Sequence, residues 1–190
     1  MRGLMQNHPL LISSLIEHAA VAHPQAEIVS RTHEGGLVRH SYTDVARRAR
    51  QLAGALLALG VTEGTRVGTM AWNGHRHIGL LYGVSGLGAV AHTINPRLFP
   101  EQLDHIINHA EDRALFFDLS FLPLIERLAP RLRSVRTFIA LADRKDTPRS
   151  TALDLVCYEE LIDSHDPGFE WPRLDECTAG AALPAGRSKT

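Results

Sequence analysis

Arg66-Val67-Gly68-Thr69-Met70-Ala71 is a short β-like run, and His75-Arg76-His77-Ile78-Gly79-Leu80-Leu81-Tyr82-Gly83-Val84-Ser85-Gly86-Leu87 behind it is apolar at helical spacing. Val90 to Ile94 then reads as a strand, Pro100 to Ala110 as a helix with proline in its first turn, and Arg113 to Asp118 as another strand. Strands alternating with helices need crossover connections, and crossovers join parallel strands. The stretch therefore predicts an α/β fold with a mostly parallel sheet flanked by helices. Gly79, Gly83 and Gly86 oppose the helix, each costing about 1 kcal/mol relative to alanine. Close packing of that helix against the sheet is the expected compensation.

The alternation continues on both sides. Upstream, residues 9–22 read as a helix with Leu11, Leu15, Ala19 and Ala22 at helical spacing, and Glu27 to Arg31 as a strand. Glu34-Gly35-Gly36 reads as a hairpin turn into Leu37 to His40. Ser41, with Asp44 three residues on, makes a capping-box start for a helix through Leu59, and Gly60 is its expected stop. Downstream, Phe121 to Leu128 reads as a helix and Arg136 to Leu141 as a strand. Ala142 to Thr151 is an expected surface loop, before a short strand and helix around Leu155 to Ile162. No internal repeat interrupts the pattern.

A chain of 190 residues with 44% hydrophobic content can bury a sizeable core. Its net charge of −1 offers no broad basic field, so nucleic acid is not an expected partner. Arg47-Arg48-Ala49-Arg50 reads as a solvated helix face rather than a nucleic-acid patch. Cys157 and Cys177 are too few for a disulfide scaffold and too far apart for a C-x-x-C site, which favours a cytoplasmic protein. No apolar run approaches the roughly 18 residues of a membrane span. Arg2, Leu10-Leu11-Ile12 and Ala20-Val21-Ala22 mimic parts of a signal peptide, but Ser13, Ser14, Glu17 and His18 interrupt the apolar stretch. Secretion is therefore not the expected reading.

The motifs that tempt a chemical assignment fail on spacing. Gly83-x-x-Gly86-x-Gly88 is not G-x-G-x-x-G and lies at the end of a helix, which argues against a dinucleotide site. Gly83-Val84-Ser85-Gly86-Leu87 has leucine where a nucleophile elbow needs glycine, so Ser85 is read as structural. His105 and His109 have metal-ligand spacing, yet position 106 is Ile and no third ligand is evident. His75, His77 and His92 fall near strand-to-helix joints, where packing and hydrogen bonding are the expected roles. Asn95-Pro96-Arg97-Leu98-Phe99-Pro100 reads as a rigid joint between strand and helix. Lys145 and Lys189 are the only lysines, and Lys145 lies in a polar loop.

Taken in order, Ser41-Tyr42-Thr43-Asp44-Val45, the helix closed by Gly60, Thr65-Arg66-Val67, Trp72-Asn73-Gly74-His75-Arg76-His77, Gly88-Ala89-Val90 and Asn95-Pro96-Arg97-Leu98-Phe99 resemble the N-terminal portion of AMP-forming acyl-CoA synthetases, of the adenylate-forming superfamily. The branch resembled is that of medium-chain fatty acid and 3-methylmercaptopropionate CoA ligases. The resemblance covers Leu10 to about Asp175, with Thr65 where the family usually has Asp and Gly79 near a position that is commonly acidic. It implies the N-terminal part of an AMP-binding domain over residues 1–175 and a divergent or truncated tail over 176–190. The family continues into a Ser/Thr/Gly-rich loop ending in Pro-Lys-Gly that holds ATP phosphates. Here Cys177-Thr178-Ala179-Gly180-Ala181-Ala182-Leu183-Pro184-Ala185-Gly186-Arg187-Ser188-Lys189-Thr190 contains no such run.

For intact relatives the resemblance implies a carboxylic acid substrate, ATP, Mg²⁺ and CoA, with an acyl-adenylate formed first and an acyl-CoA second. No catalytic, cofactor-binding or metal-binding residue is assigned within this chain, and no cofactor is assigned to it. The expectation is a fragment, or the product of a truncated or frame-shifted gene, inactive alone and prone to self-association through a bare strand edge or apolar surface. The alternatives are a non-catalytic α/β interaction module, a truncated pseudo-enzyme, or an unrelated α/β binding domain.

Overall fold

The computed structural model describes residues 4, 8–32, 35–148 and 152–182. Helix α1 spans Ile12–Ala22, and strands β1 (Glu27–Arg31) and β2 (Leu37–Ser41) form an antiparallel hairpin. Gly35 sits at φ 96°, the left-handed conformation the hairpin turn needs, whereas Glu34 lies outside the described residues. Helix α2 (Tyr42–Ala58) begins at the expected capping box: Asp44 N–H donates to Ser41 Oγ at 3.1 Å, and Ser41 N–H to Asp44 Oδ2 at 3.0 Å. Gly60, at φ 78°, closes it.

The main sheet contains β3 (Arg66–Met70), β4 (Val90–Thr93), β5 (Ala114–Phe117), β6 (Thr137–Ala140), β7 (Leu155–Cys157) and β8 (Ala181–Ala182). Every pairing in it is parallel, in the order β7-β6-β5-β3-β4-β8. The chain moves from β3 outward to β4, then back across β3 to β5. Right-handed crossovers then require the helix between β3 and β4 to lie on the opposite face from the helix between β4 and β5. They do. Helix α3 (His75–Gly86) packs on one face with α2 and α6 (Tyr158–Asp163), around Leu52, Leu56, Val67, Leu80, Val84 and Phe116. Helices α4 (Pro100–Ala110) and α5 (Leu122–Leu128) pack on the other, around Met70, Leu103, Ile107, Leu115 and Phe117. The alternation Ala114, Phe116 against Leu115, Phe117 is the period of two that a strand buried on both faces shows.

Two sequence expectations need correction. The glycines of α3 do not serve contact with the sheet. A Cβ on Gly83 would stand 3.0 Å from the Ala49 carbonyl oxygen of α2, and one on Gly86 only 2.5 Å from the Trp171 ring. The compensating close approach is helix to helix, and helix to the segment after α6. Secondly, Arg47-Arg48-Ala49-Arg50 is a solvated face only at Arg47, which is exposed as expected. Arg48 is buried and its Nη2 donates to Glu159 Oε1 of α6 at 2.9 Å, and Arg50 grips the Glu17 carboxylate of α1 through both Nε and Nη2. Charge runs look solvated locally, but partners far along the chain decide. On α1, Leu15 is 63% exposed, while Ser13 and Ile16 are buried and Ile16 packs with Val45 and Ala46 of α2.

Residues 164–182 form a strap across α1, α2 and α3. Gln51 Nε2 donates to the His165 carbonyl at 3.2 Å, and Trp171 Nε1 to Glu17 Oε1 at 2.8 Å. Ser85 Oγ donates to the Gly180 carbonyl at 2.8 Å, where Ala91 N–H also donates at 3.1 Å. The strap then runs as β8 beside β4, a strand absent from the sequence reading. The edge of β4 is therefore not bare at Ala91 and His92, which register with Ala181 and Ala182. The remaining tail, 183–190 with Lys189, lies outside the described residues, as do Arg2 and Thr151. No helix among the described residues is long and apolar enough to cross a membrane.

Candidate functional site

The strand order places a crevice by rule. In an open parallel sheet, the loops leaving the carboxyl ends of two neighbouring strands part to opposite faces where the order reverses, and ligands bind there. Here that point lies between β3 and β5. A cavity of about 220 Å³ opens at it. Its wall is built from Trp72, Asn73 and the first turn of α3 after β3, with Asp118 after β5 and Leu141 after β6. Arg31 and Thr32 of the hairpin close the remaining side.

Hydrogen bonds fix the two strand ends to each other. Trp72 N–H donates to Asp118 Oδ2 at 2.6 Å, and its ring Nε1 donates to Ser120 Oγ at 3.0 Å. The Trp72 ring lies 5.1 Å from that of Phe121. On the floor, Arg76 is buried and fully committed: its Nε donates to Glu159 Oε1 at 2.8 Å, its Nη1 to the Leu141 carbonyl at 3.1 Å, and its Nη2 to Asp143 Oδ1 at 2.7 Å. Arg48 shares Glu159 and stands over the Tyr158 ring at 5.7 Å. Burial alone would raise the Glu159 carboxyl, but the Arg48 cation and the Arg76 hydrogen bonds outweigh it and hold the group below its ordinary value.

The imidazoles beside this network are kept neutral. His75 is pushed down to about 4, first by burial and then by the Arg76 and Arg48 cations. His77 is lowered by burial, and His40, whose ring centroid is 5.0 Å from that of His75, by burial and then Arg48. A neutral imidazole offers one donor and one acceptor. His75 and His77 both line the crevice, and His77 Nε2 is a buried atom without a hydrogen-bond partner.

His92, grouped with them by sequence, lies elsewhere. Its Nδ1 is 2.7 Å from Asp112 Oδ2 inside the face covered by α4 and α5, and a Cβ on Gly68 would stand 2.9 Å from that same oxygen. Gly68 makes room for the buried pair. Burial raises the Asp112 carboxyl, against the His92 hydrogen bond that lowers it.

The other sequence candidates are distributed singly. Asn95 Oδ1 accepts from Arg97 N–H at 3.0 Å, an Asx turn that stiffens the joint, while Arg97 and Phe99 stay exposed. His105 and His109 stack with centroids 5.7 Å apart on the exposed face of α4, and no group of three or more metal-ligating side chains assembles among the described residues. Lys145 Nζ is 3.9 Å from Asp143 Oδ2 in an exposed loop. Arg31, Thr32 and Asp118 were not singled out from sequence, whereas Asn73 entered only as part of the Trp72 to His77 motif. Their signal, position at the carboxyl end of β5 or opposite it, becomes readable only once the strand order is known.

Residues 16–175 fit the AMP-binding enzyme family, and the chain belongs to it. It is 48% identical over 181 residues to the 3-methylmercaptopropionyl-CoA ligase of Ruegeria lacuscaerulensis, covering 95% of this chain and 34% of that protein. It is 42% identical to the medium-chain-fatty-acid–CoA ligase of Ectopseudomonas oleovorans over 181 residues, 95% of this chain and 33% of the relative. The chain thus spans about a third of the length of these relatives. Among solved structures, the fatty acyl CoA synthetase of Mycobacterium tuberculosis superposes with a TM-score of 0.76 at 21% identity, over 91% of this chain and 32% of that one, which shows the shared fold.

Proposed function

We propose that the chain is the N-terminal part of an ATP-dependent acyl-CoA ligase acting on medium- or long-chain fatty acids or 3-methylmercaptopropionate-like acids. In this reading the whole protein joins the acid to AMP from ATP with Mg²⁺, releasing pyrophosphate, and then passes the acyl group to CoA. Residues 1–175 contribute one wall of the enzyme and 176–190 a divergent tail. The observation that supports it is continuous similarity to the 3-methylmercaptopropionyl-CoA ligase over 95% of this chain. The groups that hold ATP and Mg²⁺ are assigned to the part of the relatives this chain does not span. Free Cys157 and Cys177 agree with a reducing, cytoplasmic setting.

The test is to join residues 1–175 to the remaining segment of that relative and measure acid-dependent pyrophosphate release. Turnover is expected from the joined protein and none from the 190-residue chain, which offers no glycine-rich loop of preorganised phosphate donors. A folded joined protein without turnover would sink the reading. Exposed Leu10, Leu15 and Val21 around α1, and Leu37 on the hairpin, favour self-association of the short chain. Light scattering that returns a monomer at all concentrations would remove this part.

A further inference from the structure

We propose that the crevice between β3 and β5 holds a small oxyanion, a phosphate or carboxylate group, on the first turn of α3. The first support is the helix end itself. Gly74, the residue that would cap α3, has no side chain, and no side chain caps the helix. The Ile78 N–H donates to the Gly74 carbonyl at 3.0 Å. The N–H groups of His75 and His77 have no acceptor among the described residues. Such a terminus presents donors and the positive end of the helix dipole together.

The second support is independent and lies in the side chains. His75 is only 6% exposed and lines the crevice, yet its ring makes no hydrogen bond among the described residues. His77 Nε2 is likewise buried without a partner beside it. Among the described residues His77 Nε2 is the imidazole atom enclosed without a partner, which is costly, and the His75 ring, which lines the crevice, would gain a partner from an anion held there. At the rim, the Arg31 guanidinium has no ion-pair or hydrogen-bond partner among the described residues, its backbone being paired with Leu37 of β2, and it adds the charge an oxyanion needs. Thr32 and Asn73 add hydroxyl and amide groups. Asp118 is the acidic group in the wall, and its Oδ2 is engaged by Trp72 N–H at 2.6 Å. The crevice therefore selects a compact anion that can accept several hydrogen bonds.

The experiment titrates the 190-residue chain with inorganic phosphate, and separately with acetate, at neutral pH and low salt, following backbone amides by NMR. Saturable shifts centred on His75 and His77 are expected. Saturation by phosphate alone identifies a phosphate site, and saturation by acetate identifies a carboxylate site. His75→Phe, which keeps a ring and removes both nitrogens, should weaken binding by about tenfold or more, the range of a lost charged hydrogen bond. His75→Gln, which keeps a donor, should restore most of it. Arg31→Ala, at an exposed position that leaves the fold intact, should weaken binding a few-fold, and Arg39→Ala on the same hairpin should leave it unchanged. Absence of shifts at 75–77 with either anion, or equal weakening by Arg31→Ala and Arg39→Ala, would overturn the proposal. Because the probes are inorganic phosphate and acetate on the short chain, the outcome is independent of ligase activity.

Discussion

The two faces of the sheet are covered by different means. On the side of α4 and α5, large side chains fill the space: Met70, Leu103, Ile107, Phe117 and Ile125 are all fully buried, with the His92–Asp112 pair let in opposite Gly68. On the side of α2, α3 and α6, the backbone of α2 approaches closely at Gly83 and the Trp171 ring at Gly86, and Glu159 ties Arg48 of α2 to Arg76 of α3. The first face is a layer of interlocked apolar side chains. The second depends on specific small residues and on charges that have left water, which makes it sensitive to changes an apolar layer would absorb.

The comparison is broken most directly at Glu159. Glu159→Ala takes the carboxylate partner from buried Arg48 and one of the two carboxylates from buried Arg76, which keeps Asp143, and a loss of about 3 kcal/mol is expected in urea denaturation. A loss below about 1 kcal/mol would mean that water reaches both arginines and that the charged face is no more fragile than a surface. The next effect is with pH. The unfolded chain binds a proton at His75 near pH 6.5, while the folded protein refuses it until about pH 4. The stability this group contributes is complete above pH 6.5 and is lost as pH falls toward 4, by an amount on the order of 3 kcal/mol. His75→Phe should flatten the stability profile in that window; an unchanged slope would place the acid sensitivity on other groups.

A smaller effect, about 1–3 kcal/mol, is expected for Gly83→Val, which drives a branched side chain into the Ala49 carbonyl and Leu52. Gly68→Ala probes the opposite face in the same way, at Asp112 and Leu115. If Gly68→Ala were the more damaging of the two, the contrast between the faces would be reversed. Lys145→Ala, in the exposed loop, should change stability by no more than about 0.5 kcal/mol and serves as the baseline.

Much of the fold was legible in the chain because its signals are local. Ser41 and Asp44 are three residues apart, so their capping box is written in the sequence, and Gly60 marks the helix end in the same way. Proline at position 100 opens α4 where the sequence reading put it. The two-residue β8 was missed because Ala181-Ala182 carries no periodicity; it is a strand only by virtue of pairing with β4. The inward side of α1 is not written locally for a related reason. Leu15 and Ile16 are equally apolar, and α2 selects between them.

The candidate site was barely legible. Trp72 to His77 stood out as part of a family resemblance, but Arg31 and Asp118 meet it from positions about 40 residues away on either side, once the hairpin folds over and β5 inserts beside β3. Sequence alone determined the element types, their order, the parallel sheet and the family, since each follows from periodicity, caps and motif order along the chain. Only the tertiary structure decided the strand order, the pairing of Arg48 and Arg76 with Glu159, the partners of the α3 glycines and the crevice itself. Those depend on contacts between distant segments, whose energies rest on which surfaces meet, and no local pattern encodes that.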